Sequence, residues 1–345
     1  MLAASTGRAP TAMSEPPQDA EPQNPDPQPA AEPDLARDIA HAALQPDRAT
    51  GLLQRHIKAD KAVAACRRLP GGSMHHVVEW TLDDGKRQVV AKVHPGRSAD
   101  SFEREAQSLW LFRERAGLPA PEPLGVIRDD PHVAGAGLVM TRAAGGPVSK
   151  AKLSKRGSAY FEDQLASLAL AMHGVEGAGF GSPLDDDLAP DWRQVYTPAF
   201  ERAYARVRDQ ISSAARWALD DLVKRLPNLI PEKPAAQLVH GDLWSNNLLV
   251  DDAHPDKPKI TGLIDPSPLY ADVEYELAYL QLFKTVGDRF FERYNAKRPI
   301  RVGFHRRREI YWLGTMLEHV DRFGDEKLKS IEELARRAWW YASRD

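Results

Sequence analysis

Apolar and polar residues alternate between residues 60 and 142 with the two-residue period of β-strands. Two alternating runs flank Asp83-Asp84-Gly85, a sequence typical of a hairpin turn. The pattern predicts strands over residues 63–69, 77–82, 88–93, 124–127 and 137–141. We therefore expect a small antiparallel sheet in this part of the chain.

A helical period dominates the rest of the chain. Ala143 to Pro147, Ala-Ala-Gly-Gly-Pro, separates the two patterns, because glycine and proline interrupt regular structure. Helices are expected over residues 34–61 with a break at 45–47, and over 100–116, 160–173, 192–211, 215–226, 275–285, 305–322 and 327–341. Short strands are expected at 238–239, 248–250 and 260–264. Residues 35–142 are predicted to form an N-terminal lobe, and residues 143–345 a helical C-terminal lobe.

Residues 1–34 follow neither period. They are rich in Pro, Glu, Asp, Gln and Ala and contain no aromatic residue. Such a segment buries too little apolar surface to offset the entropy lost on ordering, so a disordered tail is expected.

The overall composition favours a folded protein that binds a small molecule. The 345 residues are 42% hydrophobic, and 46 basic and 49 acidic residues give a formal net charge of −3. This balance, without a basic tract interleaved with aromatic residues, argues against nucleic acid as a partner. No run of 18 apolar residues and no signal-peptide pattern occurs, so we expect no membrane association and a cytoplasmic location. The single cysteine, Cys66, is expected to be buried and inert.

Two carboxylates and one amide occur at the spacing that phosphoryl-transfer enzymes use. In the run His240 to Asn247, H-G-D-L-W-S-N-N, Asn247 follows Asp242 by five residues, and Asp265 ends a later G-L-I-D run. The protein-kinase signature H-R-D-L-x-x-x-N has the same offset. It predicts Asp242 as the base for the acceptor hydroxyl, and Asn247 and Asp265 as Mg²⁺ ligands. Each residue alone would suit a loop or turn, but the full spacing favours one functional unit.

Upstream residues fit the nucleotide half of such a site. Val89 to Lys92, V-V-A-K, is similar to the V-A-I-K strand whose lysine reaches the nucleotide phosphates, and Glu105 on the next helix can pair with that lysine. Either side chain alone would be typical of a solvated surface. Backbone amides of a glycine-containing turn could also meet phosphate, with an ordinary hairpin turn as the alternative. The residues of this turn are Gly71, Gly72 and Ser73.

Signatures of other nucleotide-binding proteins are absent from the sequence. No G-x-x-x-x-G-K-[ST] motif occurs, which argues against a P-loop. The Ala-Pro-Glu that ends a protein-kinase activation segment occurs only at 120–122, ahead of the catalytic motif, and Asp265 is followed at once by Pro266-Ser267-Pro268. The missing peptide-docking segment indicates a small acceptor.

With these residues, the chain resembles the fructosamine kinase (ketosamine 3-kinase) family, within the aminoglycoside phosphotransferase and choline kinase group of protein-kinase-like folds. His240 to Asn247 is similar to that family's H-G-D-L-W-S-G-N motif. Further similar elements are Ile264-Asp265-Pro266, E-Y-E-L-A at 274–278, F-E-x-E at 102–105 and Asp191-Trp192. The resemblance covers about residues 60 to 325.

This resemblance implies an α+β, bilobal protein-kinase-like fold that uses ATP and Mg²⁺. It implies that Lys92 and Glu105 lie on the nucleotide phosphates, and that Met140 to Arg142 form the hinge beside adenine. The implied acceptor is a hydroxyl of a ketoamine, an amine-linked sugar or a glycated lysine.

The substrate side departs from the family pattern. Asn246 replaces a glycine, Asp272 stands where histidine is frequent, and the glycine-rich turn lacks its third glycine. Trp244 is a candidate wall for the sugar, with core packing as the alternative. Asp272 and Glu274 are candidates to attract the acceptor amine, with a role beside the helix dipole as the alternative.

Two other functions stay open. One is a kinase for an aminoglycoside, another amino sugar or an amino alcohol. The other is a nucleotide-binding pseudokinase, which the retained Asp242, Asn247 and Asp265 disfavour.

Overall fold

The computed structural model describes residues 38–70, 75–231, 234–323 and 328–343. The predicted tail, residues 1–34, lies outside the described residues. A small lobe built on an antiparallel sheet precedes a larger, mainly helical lobe, so the predicted α+β fold of two lobes is confirmed. Within these residues, no helix has the length and apolar character needed to cross a membrane.

The smaller lobe carries the predicted sheet. In chain order its elements are α1 (Ile39–Ala42), α2 (Pro46–Leu52), β1 (Val63–Arg68), β2 (His76–Leu82), β3 (Gln88–His94), α3 (Ala99–Ala116), β4 (Pro123–Ile127) and β5 (Ala136–Thr141). The strand order is β1-β2-β3-β5-β4, and all neighbouring strands are antiparallel. Each strand lies within one residue of its predicted ends.

Helix α3 packs against the sheet through one apolar face. Phe102, Leu109 and Phe112 recur at helical spacing and are buried. The helix ends where Gly117 adopts the left-handed conformation, with φ of 63°, which glycine reaches without steric cost. This packing fixes the side of α3 that carries Glu105.

The larger lobe contains helices and two small sheets. Its elements are β6 (Gly146–Pro147), α4 (Lys155–Met172), α5 (Trp192–Val207), α6 (Ser213–Leu229), β7 (Gln237–Val239), β8 (Leu248–Asp251), β9 (Lys259–Leu263), β10 (Leu269–Ala271), α7 (Val273–Leu282), α8 (Asp288–Asn295), α9 (Phe304–Phe323) and α10 (Leu328–Ala342). Strands β6, β8 and β9 form one sheet, and β7 pairs with β10. Strand β10 was not predicted.

Helix α8 was also missed, because eight residues give too short a pattern to recognise. Its apolar residues Phe290 and Tyr294 are buried one turn apart. On its polar side, Arg289 and Arg293 bind Asp163 of α4 at 2.6 and 2.9 Å. Packing and ion pairs with α4 therefore support a helix that is too short to be stable by itself.

Buried apolar side chains form three clusters. One joins the sheet to the leading helices, and another joins the helices of the larger lobe. The third contains residues of both lobes, with Phe112 and Met140 from the smaller lobe and Leu243, Leu248 and Leu263 from the larger. This junction cluster fixes β8 and β9, and the loops at their ends, against the sheet of the smaller lobe.

Candidate active site

The loop between β7 and β8, residues 240–247, is anchored to helix α7. The backbone N–H groups of His240 and Gly241 donate to Oε2 of Glu276, at 2.8 and 3.1 Å. Gly241 has φ of +81°, and a Cβ there would lie 1.9 Å from the carbonyl oxygen of Ser267. Only glycine fits this close approach, so the loop leaves Asp242 in a defined place.

His240 braces the same loop from inside the protein. Its imidazole is fully buried and stacks on Phe112 of α3, with 5.5 Å between ring centroids. Burial lowers the pKa of His240, so the ring is neutral near pH 7. A neutral, buried ring fits a structural role.

Asp242 has a carboxylate held by donors from two different elements. Nδ2 of Asn247 donates to Oδ2 and to the backbone carbonyl oxygen of Asp242, both at 2.9 Å. The hydroxyl of Tyr279, on α7, donates to Oδ1. These donors fix the orientation of the carboxylate. The arrangement is chemically suited to accept the proton of an acceptor hydroxyl.

Asn247 is oriented by the same contacts. Because Nδ2 faces two acceptor oxygens, the amide oxygen Oδ1 points away from Asp242. The backbone carbonyl oxygen of Asn247 accepts a hydrogen bond from the N–H of Ile264 at 3.0 Å. This bond joins the ends of β8 and β9 and brings Asn247 next to Asp265 in space.

Asp265 stands directly after β9 in an uncommon backbone conformation. Its φ is +54°, in the left-handed region that few non-glycine residues adopt. Such conformations cost energy and are concentrated at functional sites. The side chain remains 41% exposed, so it is accessible to a ligand.

Lys92 connects Asp265 to the smaller lobe. Its Nζ lies 2.8 and 2.9 Å from the two carboxylate oxygens of Glu105, and 2.8 Å from Oδ1 of Asp265. Burial alone would lower the pKa of Lys92, but the two carboxylates outweigh that effect and raise the pKa. The ammonium is therefore charged, and the predicted pairing of Lys92 with Glu105 is present in the structure.

The donor atoms at this site suit Mg²⁺. Asn247 Oδ1 and the carboxylate of Asp265 are hard oxygen donors, the type that Mg²⁺ prefers. No cluster of three or more His, Cys, Asp or Glu side chains that could hold a metal occurs among the described residues. A protein site with so few ligands fits a cation that is completed by nucleotide phosphates and water.

The outcome differs among the other residues that were predicted to bind the nucleotide. Gly71, Gly72 and Ser73 lie outside the described residues. Met140 is buried in β5, in register with Val90.

Arg142 follows β5 and is bound to protein groups rather than open to a ligand. Its Nε donates to Glu79 at 2.9 Å, and its terminal nitrogen donates to the carbonyl oxygen of Gly145 at 3.0 Å. The chain thus leaves the sheet after Thr141, within the segment predicted as the hinge, but the guanidinium of Arg142 binds Glu79 of β2.

Asp272 and Glu274 do not lie open to an acceptor amine, contrary to the prediction. Both side chains are about 1% exposed. Asp272 caps α7 and accepts hydrogen bonds from Arg301 at 2.7 Å and from the hydroxyl of Tyr311 at 2.8 Å. Glu274 binds Arg301 at 3.0 Å and Arg307 at 2.5 Å. The arginines neutralise these carboxylates, which anchor the start of α7.

Trp244 belongs to an aromatic cluster beside Asp242. The indole is half-buried, and its ring centroid lies 6.0 Å from that of Phe283. Phe283 in turn packs against Tyr279 at 4.6 Å and His319 at 5.4 Å. Part of the ring packs on Phe283 and part remains exposed, so the role of Trp244 as a wall for the sugar stays a prediction.

The sequence patterns did not reveal the roles of Glu276 and Tyr279. These residues are three apart on α7 and so lie on one face of the helix. That face meets the 240–247 loop, through Glu276 at its start and Tyr279 at Asp242. The spacing was visible in the sequence, but nothing there indicated which element faces it.

Comparisons with known proteins find similarity to fructosamine and ketoamine kinases. Residues 185–338 match the family model described as fructosamine kinase. The chain is 28% identical over 277 residues to a protein named "Probable ketoamine kinase" from Pasteurella multocida, covering 77% of this chain and 88% of that protein. It is 25% identical over 307 residues to the ketosamine-3-kinase of Mus musculus, covering 79% and 94%. The resemblance to the fructosamine kinase family is confirmed.

The fold agrees with a solved phosphotransferase. A thermostable mutant of aminoglycoside phosphotransferase APH(4)-Ia, in a ternary complex with AMP-PNP and hygromycin B, superimposes with a TM-score of 0.63 at 18% identity. The alignment covers 86% of this chain and 99% of that one. At this identity the similarity establishes a shared kinase-like fold.

Proposed function

We propose that this chain, an ATP-dependent phosphotransferase of the fructosamine kinase type, transfers the γ-phosphoryl group of ATP to a hydroxyl of a ketoamine. One observation carries the proposal. Contacts run from Glu105 through Lys92 to Asp265. The residue before it, Ile264, donates its N–H to the carbonyl oxygen of Asn247, whose side chain donates to Asp242. The proposed phosphate-binding cation, the two proposed oxygen ligands for metal and the candidate base are thus linked by contacts at the lobe junction.

The proposed chemistry assigns one task to each group. Asp242 accepts the proton of the acceptor hydroxyl while that oxygen bonds to the γ-phosphorus. The bond from the γ-phosphorus to the bridging oxygen breaks, ADP leaves, and Asp242 later returns the proton to solvent. Lys92 binds the nucleotide phosphates. Asn247 and Asp265 would hold Mg²⁺, which when bound offsets the negative charge of the phosphates.

A ketoamine acceptor fits the wall of the site better than a polycationic aminoglycoside. The half-buried Trp244 offers an apolar face of the kind that stacks on a sugar ring. The carboxylates expected to attract amines, Asp272 and Glu274, are already neutralised by arginines. The names of the relatives, ketoamine and ketosamine kinases, support the same acceptor class.

An acceptor panel tests the substrate assignment. Glycated amines, including a glycated lysine, and aminoglycosides are supplied with Mg²⁺ and ATP, and acceptor-dependent release of ADP is measured. We expect turnover on the glycated amines. Turnover on aminoglycosides alone would replace the ketoamine by an amino sugar as the acceptor.

The Asp242→Asn variant tests the proposed base. We expect kcat on a glycated amine to fall by about 10² to 10⁴ while ATP affinity is retained, because a general base acts mainly in the transition state. Steady-state kinetics and calorimetric titration with Mg²⁺ and ATP separate these effects. Normal turnover in the variant would show that Asp242 is not the base.

A further inference from the structure

Besides Glu276, helix α7 presents a second side chain to the 240–247 loop. Tyr279 lies one helical turn further on, and its hydroxyl donates to Oδ1 of Asp242. Asn247 donates to the other carboxylate oxygen at 2.9 Å. The carboxylate is therefore held at one oxygen by the catalytic loop itself and at the other by a separate helix.

The position of the Tyr279 ring is fixed by its surroundings. Tyr279 is 4% exposed, and its ring packs at 4.6 Å from that of Phe283 and 6.3 Å from that of His319. A buried tyrosine ring with its hydroxyl at a polar edge has little freedom to turn. The hydroxyl therefore has a set location relative to α7.

Helix α7 is itself held in place by ion pairs at its start and by hydrogen bonds to the 240–247 loop. Arg301 and Arg307 bind the carboxylates at its start, and Glu276 binds two backbone amides of the loop. The helix and the loop consequently form one rigid assembly. In that assembly Tyr279 restrains the carboxylate of Asp242.

We propose that Tyr279 is a positioning residue for phosphoryl transfer, which acts by orienting the carboxylate of Asp242 towards the acceptor hydroxyl. This inference rests on the proposed role of Asp242 as base. Tyr279 takes no proton itself. The acceptor proton moves to Asp242 as described above, and the tyrosine hydroxyl remains a donor to Oδ1 throughout.

A positioning role and a packing role predict different kinetics. The Tyr279→Phe substitution removes the hydroxyl and leaves the ring, so packing against Phe283 is retained. Without the donor, the carboxylate samples orientations that do not face the acceptor, whereas nucleotide and acceptor binding keep their contacts. We expect kcat to fall about tenfold, with KM for ATP and for the acceptor changed less than about twofold.

A double-mutant cycle tests whether the effect passes through Asp242. In an Asp242→Ala background the hydroxyl has no carboxylate to orient, so adding Tyr279→Phe should change the residual kcat by less than about twofold. Tyr204→Phe is the matched control, because its hydroxyl also binds a carboxylate, that of Asp220 at 2.7 Å, on helices outside the site. Its kcat should equal that of the unmodified enzyme.

Three results would overturn the inference. One is a Tyr279→Phe enzyme with unchanged kcat. Another is that Tyr279→Phe lowers kcat by the same factor in the Asp242→Ala background as in the unmodified enzyme. The last is a lower thermal midpoint together with a lower kcat and raised KM values for ATP and for the acceptor. This result would assign only a packing role to Tyr279. Normal turnover of Asp242→Ala would instead refute the proposed base, which distinguishes the two failures.

Discussion

At the scale of single residues, the site depends on one lysine that contacts two carboxylates from different lobes. Lys92 is 5% exposed, and its partners Glu105 and Asp265 come from α3 and the end of β9. Removing the carboxylate of Asp265 would therefore change both the proposed metal-ligand set and the charge around the ammonium.

The Asp265→Ala substitution should weaken binding of Mg²⁺ with ATP by at least about tenfold, equivalent to about 1.4 kcal/mol, because an oxygen ligand is lost. Binding of ATP without metal should change much less. Calorimetric titrations with and without Mg²⁺ measure both affinities. Asp209→Ala serves as a control, since the side chain of Asp209 is 89% exposed on the larger lobe. An unchanged metal-dependent affinity in Asp265→Ala would argue against the ligand role.

The roles of residues could be predicted where the residues belong to a motif. They were missed where the role depends on a partner far along the chain. The pairing of Lys92 with Glu105 followed from the motif. An acidic residue at a helix start has the same sequence pattern whether it faces solvent or an arginine, so the pairing of Asp272 with Arg301 was not visible. Cys66 is half-buried rather than buried as expected, and this burial raises the pKa of its thiol to about 11, which fits the inert cysteine that was expected.

At the scale of elements, α7 supports the 240–247 loop. Glu276 is 1% exposed and accepts hydrogen bonds from His240 and Gly241, while its other oxygen lies 3.0 Å from Nε2 of His173. Hydrogen bonds to an ionised acceptor are stronger than those to a neutral one. The helix therefore stabilises the loop mainly through one carboxylate.

The Glu276→Gln substitution retains the side-chain shape and removes the charge. We expect the free energy of unfolding to fall by about 1–2 kcal/mol, because charged hydrogen bonds become neutral ones. Denaturant unfolding measures this change. Glu333→Gln on the exposed side of α10 should alter stability by less than about 0.5 kcal/mol. Equal stability of the Glu276→Gln protein and the unmodified protein would show that the loop does not depend on this carboxylate.

Element boundaries could be predicted more completely than contacts between elements. All strands of the larger sheet were located, because alternation and turn residues depend only on neighbouring positions. The face of α7 that meets the loop depends on packing between segments more than 30 residues apart, as in the bond from His240 to Glu276. Local periodicity carries no information about such pairings.

At the scale of the whole molecule, the two lobes share a buried junction. Phe112 and Met140 of the smaller lobe lie in one apolar cluster with Leu243, Leu248 and Leu263 of the larger. Separating the lobes would expose this apolar surface to water, at a cost of about 25 cal/mol for each Å².

The described lobes should therefore unfold together. We expect one calorimetric transition, with a calorimetric enthalpy close to the van't Hoff enthalpy, and with coincident loss of helical signal and tryptophan fluorescence change. Adding Mg²⁺ and ATP at about 100 times the dissociation constant should stabilise the folded state by about 2.7 kcal/mol. Two resolved transitions would show that the shared junction does not couple the lobes.

The ion pairing around Lys92 also bears on which form of nucleotide can enter. Lys92, Glu105, Asp265 and Asp242 carry one positive and three negative formal charges, an excess of two negative charges among these four side chains. Free ATP would meet electrostatic repulsion from this excess, and a divalent cation carried with it would reduce that repulsion, because the cation offsets part of the negative charge of the nucleotide. In the proposed site, these charges would favour the metal-complexed nucleotide over the bare one before any specific contact with adenine forms.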